Sequence, residues 1–202
     1  MLVALMGGTA RPASELARVA AIAPSTATSH LRRLVEQGLI VARPRGRHRY
    51  YELAGEHVAQ AVEALVAAGM SAPARRAAAD DSMAAARMCY AHLAGRLAVA
   101  FWARAVEQRW VRWSPEAVRL LPAGHDALAR LDVPRGDTRA LAGRPCLDWS
   151  ERTPHVSGPL GTAVCASLFV HAWVARVPES RALRVTARGR TGLRALGVRW
   201  SP

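Results

Sequence analysis

Residues 23–53 decide the fold of the first part of the chain, and they read APSTATSHLRRLVEQGLIVARPRGRHRYYEL. Pro24 to Gln37 is predicted to form a helix, because proline suits the first helical position and apolar residues recur at helical spacing. These apolar positions are Ala27, Leu31, Leu34 and Val35. Gly38 follows, where a left-handed residue commonly ends a helix. Leu39 to Ala42 and His48 to Leu53 are predicted to be the two strands of a hairpin.

The opposite face of this helix is polar. Its candidate base-reading residues are Ser25, Thr26, Thr28, Ser29 and Arg32. Hydroxyl and guanidinium groups suit the base edges and phosphates of a DNA major groove. The hairpin is basic, and its Arg45, Arg47 and Arg49 are predicted to hold phosphates or to enter the minor groove. A helix followed by a basic hairpin is typical of a winged helix-turn-helix. The alternative is a solvated amphipathic helix followed by an ordinary hairpin.

The charge of the whole chain agrees with a nucleic-acid partner. The 202 residues carry a net charge of +13, and every Lys/Arg position is arginine. Such a charge favours a polyanionic partner, with an anionic membrane surface as the second interpretation. The sequence contains no run of 18 apolar residues and no signal peptide, so we expect a cytoplasmic protein without a membrane partner. Three cysteines do not indicate a secreted disulfide scaffold.

Residues 1–69 resemble the DNA-binding core of the ArsR/SmtB family of bacterial repressors. The matching stretches are ASELA at 13–17, SHLRRL at 29–34, GLI at 38–40 and GRHRYYEL at 46–53. The resemblance implies a homodimer that binds double-stranded operator DNA and is released by a small ligand or ion. In that family a further helix precedes the segment Met1–Met6 and helps to form the dimer. Here either the start of the protein lies upstream or the dimer is built differently.

Two metal sites known in that family are missing from this sequence. The first helix of the helix-turn-helix, with the segment Glu15–Val19, has no cysteine to bind a soft metal. The helix after the hairpin offers only Glu56, His57 and Glu63 where family members have paired ligands for zinc. We therefore expect the effector to bind elsewhere in the chain.

The second half of the chain contains an internal repeat. We predict a linker at residues 70–81 and an effector and dimerisation domain at residues 82–202, in which Ser82–Arg109 is one long helix. A shift of 63 residues relates His92 to His155, and the repeated segments are residues 89–133 and 152–198. Each copy is predicted to be a long helix, a short hairpin and a second helix. Chance similarity in an Ala/Leu/Arg-rich sequence is the alternative.

The predicted fold class is therefore mainly α with short β-hairpins. It combines a winged helix-turn-helix with a helical C-terminal domain of two helix-hairpin-helix repeats.

Chemically distinctive residues occur near and between the two copies. Residues 144–155 read RPCLDWSERTPH, and we predict that they form a loop. Residues 89–95 and 146–152 resemble motifs in the C-terminal extension of one branch of the repressor family. The predicted helix would place Cys89 and His92 on one face.

The candidate metal or effector residues are Cys89, His92, Cys146, Asp148 and His155. Two thiols, two imidazoles and a carboxylate suit zinc or another transition metal. The alternatives are cysteines of the core beside hydrogen-bonded histidines, a thiol redox pair, and a small-molecule pocket. The identity of the effector does not follow from these residues.

Two further groups allow more than one interpretation. The tryptophans Trp102, Trp110, Trp113, Trp149 and Trp173 either line an apolar ligand pocket or form the core. The segment Arg176–Arg199 contains seven arginines and one acid. Its predicted hairpin, Val177 to Thr186, is either a second wing that touches flanking DNA or a solvated basic edge.

The motifs of common enzyme classes are absent from the sequence. It contains no Gly-rich phosphate loop, no nucleophile elbow and no HExxH motif. We therefore expect a transcriptional regulator rather than an enzyme, acting as a repressor that is released by an effector bound in the C-terminal domain. The alternative is a constitutive or architectural DNA-binding protein without ligand sensing.

Overall fold

The structure is a computed structural model that describes residues 1–69, 81–133 and 140–201. It divides the chain into two units, Met1–Val62 and Glu63–Pro202. The predicted linker at residues 70–81 lies outside the described residues except for Asp81.

The first unit contains the predicted helix-turn-helix and hairpin. Its elements are α1 (Leu2–Leu5), β1 (Arg11–Pro12), α2 (Ala13–Val19), α3 (Pro24–Glu36), β2 (Ile40–Arg45) and β3 (His48–Leu53). The strands form one antiparallel sheet in the order β1-β3-β2. Gly38 follows α3 with φ +68°, so the predicted left-handed end of the helix is confirmed. The helix α4 (Glu56–Gly69) begins in this unit.

Helix α3 packs through one narrow stripe. Ala27 and Leu31 are fully buried, and α3 lies against α2, whose Leu16 is also buried. The sequence predicts a wider apolar stripe that includes Val35, but Val35 is 38% exposed. The polar face of α3 is consequently available to a partner.

The second unit repeats one order of elements. The first copy has the hairpin β4 (Arg87–Cys89) and β5 (His92–Ala94), α6 (Arg96–Glu107), the hairpin β6 (Val111–Trp113) and β7 (Val118–Leu120), and α7 (Pro122–Ala129). The second copy has β8 (Arg144–Leu147) and β9 (Pro154–Ser157), α8 (Gly158–Val170), β10 (Val174–Arg176) and β11 (Leu183–Val185), and α9 (Ala187–Ala195). The short helix α5 (Asp81–Ala85) precedes the first copy.

The two copies exchange contacts reciprocally. Strand β5 packs on α8 of the other copy, and β9 packs on α6. Backbone bridges follow the same exchange: Arg87 pairs with Ala182 beside β11, and Gly143 beside β8 pairs with Val118 in β7. The first hairpin of each copy therefore contacts the second hairpin of the other copy.

Glycines mark equivalent close approaches in the two copies. A Cβ atom on Gly124 would lie 2.0 Å from the carbonyl oxygen of Trp110, and one on Gly189 would lie 2.1 Å from that of Trp173. In each copy the second helix thus approaches the backbone after the first helix too closely for a side chain.

The predicted fold class is wrong. About 46% of the described residues are helical and about 23% are in strands, which form several small antiparallel sheets. The largest error concerns Ser82–Arg109, which is not one helix, because residues 87–94 form the β4–β5 hairpin. Alanine, methionine and leucine in this segment favour a helix, but Tyr90 adopts φ +59° in a tight turn. Both strands are buried, so packing with the other copy overrides the local preference.

The core of the second unit lies between the two long helices. Leu97 and Phe101 from α6 pack in one cluster with Leu160 and Leu168 from α8. Trp102, Trp110 and Trp149 are buried. Trp113 and Trp173 are partly buried and pack against the cluster. Among the five tryptophans considered above, packing therefore accounts for most of the indole surface.

Candidate DNA-binding surface and buried cysteine–histidine cluster

The exposed face of α3 carries all the candidate base-reading residues. Ser25, Thr26, Thr28, Ser29 and Arg32 are all exposed. Two of them have local partners: the Thr28 hydroxyl donates to the Pro24 carbonyl at 2.9 Å, and Arg32 lies 3.9 Å from Glu36 in an exposed ion pair. Such a pair is weak and is easily exchanged for a phosphate or a base.

The hairpin β2–β3 forms the candidate wing. Arg45, Arg47 and Arg49 are exposed around the turn at Gly46, which has φ +62°. Arg45 lies over the ring of Tyr50, with 5.3 Å between the guanidinium carbon and the ring centroid. Arg43 differs from these three, because it forms an ion pair with Glu52 across the hairpin, and this pair raises the pKa of Arg43. The charge presented by the wing therefore comes mainly from its tip.

Four of the five candidate metal or effector residues lie together in the second unit. The ligand atoms of Cys89, His92, Cys146 and His155 all lie within 4.8 Å of one another, and all four residues are buried. The two histidines face each other, with 3.1 Å between their Nε2 atoms. Among the described residues, these four form the group of His, Cys, Asp or Glu side chains that lie close enough together to hold a metal ion.

The hairpins explain why these four side chains meet. Cys89 and His92 are direct partners across the β4–β5 pair, not neighbours on a helix as predicted. Cys146 and His155 are direct partners across the β8–β9 pair, so the predicted loop at residues 144–155 is largely a hairpin. Each hairpin therefore supplies one thiol and one imidazole, and contact between β5 and β9 joins the two sets.

Asp148 lies outside this set of four and supports it. Its Oδ2 atom is 3.0 Å from His155 Nδ1, and it accepts a hydrogen bond from Gly95 N at 2.7 Å. Its Oδ1 atom accepts bonds from Ser150 Oγ at 2.7 Å and from Arg87 Nη2 at 2.9 Å. A carboxylate beside Nδ1 favours a proton on that nitrogen, so Nε2 is the nitrogen that could bind a metal ion, which would displace the Nε2 proton.

A buried network of charges continues beyond Asp148. Arg87 is fully buried and also donates to Glu63 Oε1 at 3.0 Å. Its guanidinium carbon lies 4.5 Å from the centroid of a Trp149 ring. The second oxygen of Glu63 is 3.8 Å from Arg181, so two arginines balance two carboxylates.

Burial and neighbouring charges shift the pKa values of this region. The pKa of Cys89 is raised to about 12 by a hydrogen bond with Cys146 and by burial. Burial lowers the pKa of His155, but hydrogen bonds and charge interactions with Asp148 and Cys89 outweigh burial and raise the pKa to about 9. Burial acts to raise the pKa of Asp148, whereas His155 and Arg87 hold it well below its usual range. The carboxylate is therefore ionised throughout the physiological range.

Comparison with known proteins identifies the family. Residues 1–43 match the family model described as a helix-turn-helix domain. Over 197 residues, which cover 94% of this chain and 87% of the relative, the sequence is 36% identical to the uncharacterized HTH-type transcriptional regulator YdfF of Bacillus subtilis (strain 168). The chain belongs to the HTH-type transcriptional regulators. The regulator is thus a DNA-binding protein, and the similarity extends through the second unit as well as the helix-turn-helix.

The regulator's second unit also has an open pocket apart from the cluster. The pocket has a volume of about 900 Å³. Its lining includes Leu193, Trp200, Arg184, Arg190, Arg194 and Arg199. Apolar walls with several guanidinium groups suit an apolar anion. Four of the seven arginines in the segment Arg176–Arg199 therefore line this pocket, whereas Arg181 belongs to the buried charge network.

Sequence reasoning missed three residues that hold the regulator's cluster in place. Arg87 belongs to no motif of the sequence, Glu63 is a candidate only for a different metal site, and Gly95 is recognised only as part of the motif at residues 89–95. Gly95 has φ +86°, and a Cβ atom there would lie 2.6 Å from the carbonyl oxygen of Ala84. Its backbone N–H donates to Asp148 Oδ2 at 2.7 Å. The sequence offers one signal for Arg87, which lies within an apolar run. An arginine that is buried in such a run usually has a charged partner.

Within the described part of the regulator, no helix combines the length and the apolar character needed to cross a membrane.

Proposed function

We propose that this regulator is a homodimeric repressor that binds operator DNA through its winged helix-turn-helix and leaves it when an effector binds the second unit. The observation that carries the proposal is the exposure of all eight candidate DNA-contacting residues on α3 and the wing tip. Ser25, Thr26, Thr28, Ser29 and Arg32 would read bases from α3, and Arg45, Arg47 and Arg49 would contact phosphates or the minor groove.

The finer parts of the proposal rest on the ArsR/SmtB resemblance and on general geometry. In a twofold dimer, two recognition helices enter successive major grooves of a pseudo-palindromic site. A change in the second unit then acts by altering the spacing of the two DNA-reading heads. The cytoplasmic location expected from the sequence agrees with this role.

The charge of the wing gives the most direct test. A phosphate-contacting arginine contributes about one released counterion, so Arg47→Ala should weaken binding to all DNA sequences alike and lower the salt slope by about 1. The measurement is the affinity for a DNA site selected from a random pool, and for an unrelated duplex, across a series of salt concentrations.

Arg43→Ala is the matched control, because Arg43 lies on the same hairpin but is paired with Glu52. It should change the salt slope less than Arg47→Ala does. A change in sequence preference alone on Arg47→Ala would show that the wing does not contact phosphates. Operator affinity that no effector alters in a wide screen would favour the alternative, a constitutive or architectural DNA-binding protein.

A further inference from the structure

We propose that Cys89, His92, Cys146 and His155 form a closed, four-coordinate site for one divalent metal ion, zinc being the best match. The metal site does not depend on the proposed repressor function. A further step, in which the ion adjusts DNA binding, does rest on that function.

The spacing of the ligand atoms fits a single tetrahedral ion. With bonds of about 2.0–2.1 Å to nitrogen and about 2.3 Å to sulfur, ligand atoms of a tetrahedral zinc ion lie about 3.3–3.8 Å apart. The two Nε2 atoms are 3.1 Å apart, and the whole set lies within 4.8 Å. Small side-chain adjustments would therefore complete the sphere. A two-iron cluster is too large for this space. Its histidine pair and its cysteine pair bind different iron atoms on opposite sides of the cluster, whereas here all four ligand atoms lie within 4.8 Å of one another.

The donor types and the charge balance favour a divalent ion. Two thiolates neutralise one divalent ion, whereas a monovalent ion would leave a net negative charge in a buried site. The neighbouring Arg87 and Arg181 already balance Glu63 and Asp148, so the surroundings supply no spare cation. Mixed thiolate and imidazole ligands suit zinc in tetrahedral geometry.

Asp148 acts as a positioning residue for this site. Its contact with His155 Nδ1 orients the ring, and a carboxylate in that position is the usual outer partner of a metal-bound histidine. Gly95 N, Ser150 and Arg87 hold the carboxylate in turn. Four protein ligands leave no open coordination position, so the site is suited to structure or sensing rather than to catalysis.

The same contacts lead from the ion to Glu63, which belongs to the second unit and lies on the helix α4 that begins in the first unit. Asp148 binds Arg87, and Arg87 binds Glu63 on α4, the helix that begins at Glu56. Occupancy of the site would stiffen the two hairpins that carry Asp148 and Arg87. We expect this to change the affinity for DNA by roughly 5- to 150-fold, the usual range of coupling between sites.

Metal content of the full chain tests the site directly. The protein is reduced, loaded with zinc, separated from free metal and analysed by mass spectrometry for metal and for intact thiols. We expect about one zinc ion per chain in the wild type, and much less in Cys89→Ser. Cys165→Ser is the matched control, since Cys165 is buried outside the cluster and lies 3.7 Å from Met88 Sδ. Circular dichroism checks that each variant is folded.

Cobalt provides a second readout that needs no variant. Co²⁺ added to the reduced, metal-free wild type should give the intense visible bands of a tetrahedral site with thiolate ligands. A wild type that binds no zinc, equal zinc in Cys89→Ser, weak octahedral cobalt bands, or a Cys89–Cys146 disulfide in the freshly isolated protein would each overturn the proposed site.

The outer carboxylate and the coupling have separate tests. Asp148→Asn should lower zinc affinity by roughly 10- to 100-fold against a coloured chelator, whereas Asp132→Asn should not, because its contact with His171 lies outside the cluster. Equal affinities would refute the positioning role.

If zinc binds but leaves DNA affinity unchanged, the coupling is wrong and the metal site stands. If zinc binds and no DNA does, the proposed function is wrong instead.

Discussion

The charge network around Arg87 gives the sharpest prediction for stability. Arg87→Met keeps the length of the side chain and removes the guanidinium group from a site with no solvent exposure. Asp148 and Glu63 would each lose a charged partner, at 2.9 Å and 3.0 Å. Breaking a buried ion pair costs about 3–5 kcal/mol, because the remaining charge is uncompensated. We therefore expect a loss of about that size in the free energy of unfolding of the second unit.

The tryptophans allow this loss of stability to be measured for the second unit by itself. All six tryptophans of the chain lie between residues 102 and 200, so their fluorescence follows the unfolding of the second unit alone. With a urea m-value of about 2 kcal/mol/M, the loss corresponds to a midpoint lower by about 1.5–2.5 M. Wild type and variant are compared in the same metal-loaded or metal-free state.

Two further variants separate electrostatics from packing. Adding Glu63→Gln to Arg87→Met should recover part of the loss, because it removes one of the two uncompensated carboxylates. Asp81→Asn is the control for a surface pair, since Asp81 is 80% exposed beside Arg96, and it should change stability by less than about 0.5 kcal/mol. A midpoint for Arg87→Met as close to the wild type as that of Asp81→Asn would refute the argument from buried charge.

The remaining predictions concern the repeat and the pocket. Gly189→Ala and Gly124→Ala should each destabilise the second unit by about 1–3 kcal/mol in the same urea assay, because the added Cβ meets a carbonyl oxygen. Arg188→Ala, on the exposed side of α9, should leave the midpoint almost unchanged, and an equal effect of all three would contradict the close approach. Arg199→Gln should weaken binding of the apolar anion anilinonaphthalene sulfonate by roughly tenfold in a fluorescence titration. Arg112→Gln, outside the pocket, should not, and equal binding by both variants would remove the case for an anion pocket there.

The first unit was largely predictable because its elements are locally encoded. Pro24 sets the start of α3, Gly38 its end, and a Gly46 turn joins two strands whose second member matches the prediction from His48 to Leu53. Each signal lies within a few residues of its effect. The family comparison then agrees with a helix-turn-helix in the same part of the chain.

The second unit was less predictable because distant residues decide its local structure. Residues 87–94 have a helix-forming composition, and only packing against α8 of the other copy makes them a hairpin. The sequence therefore predicts that Cys89 and His92 share a helical face, whereas they are cross-strand partners in a hairpin. The partners of Arg87 lie 24 and 61 residues away, and no local pattern encodes such separations.

The division of the cluster between two hairpins has a consequence for the origin of this unit. Each hairpin offers one cysteine and one histidine as cross-strand partners, which is half of a coordination sphere. A free-standing ancestor with a single copy would have completed its sphere only by pairing with an identical chain, with the ion on the symmetry axis. Joining two such genes end to end would make that pairing permanent and independent of protein concentration. It would also free each half to diverge.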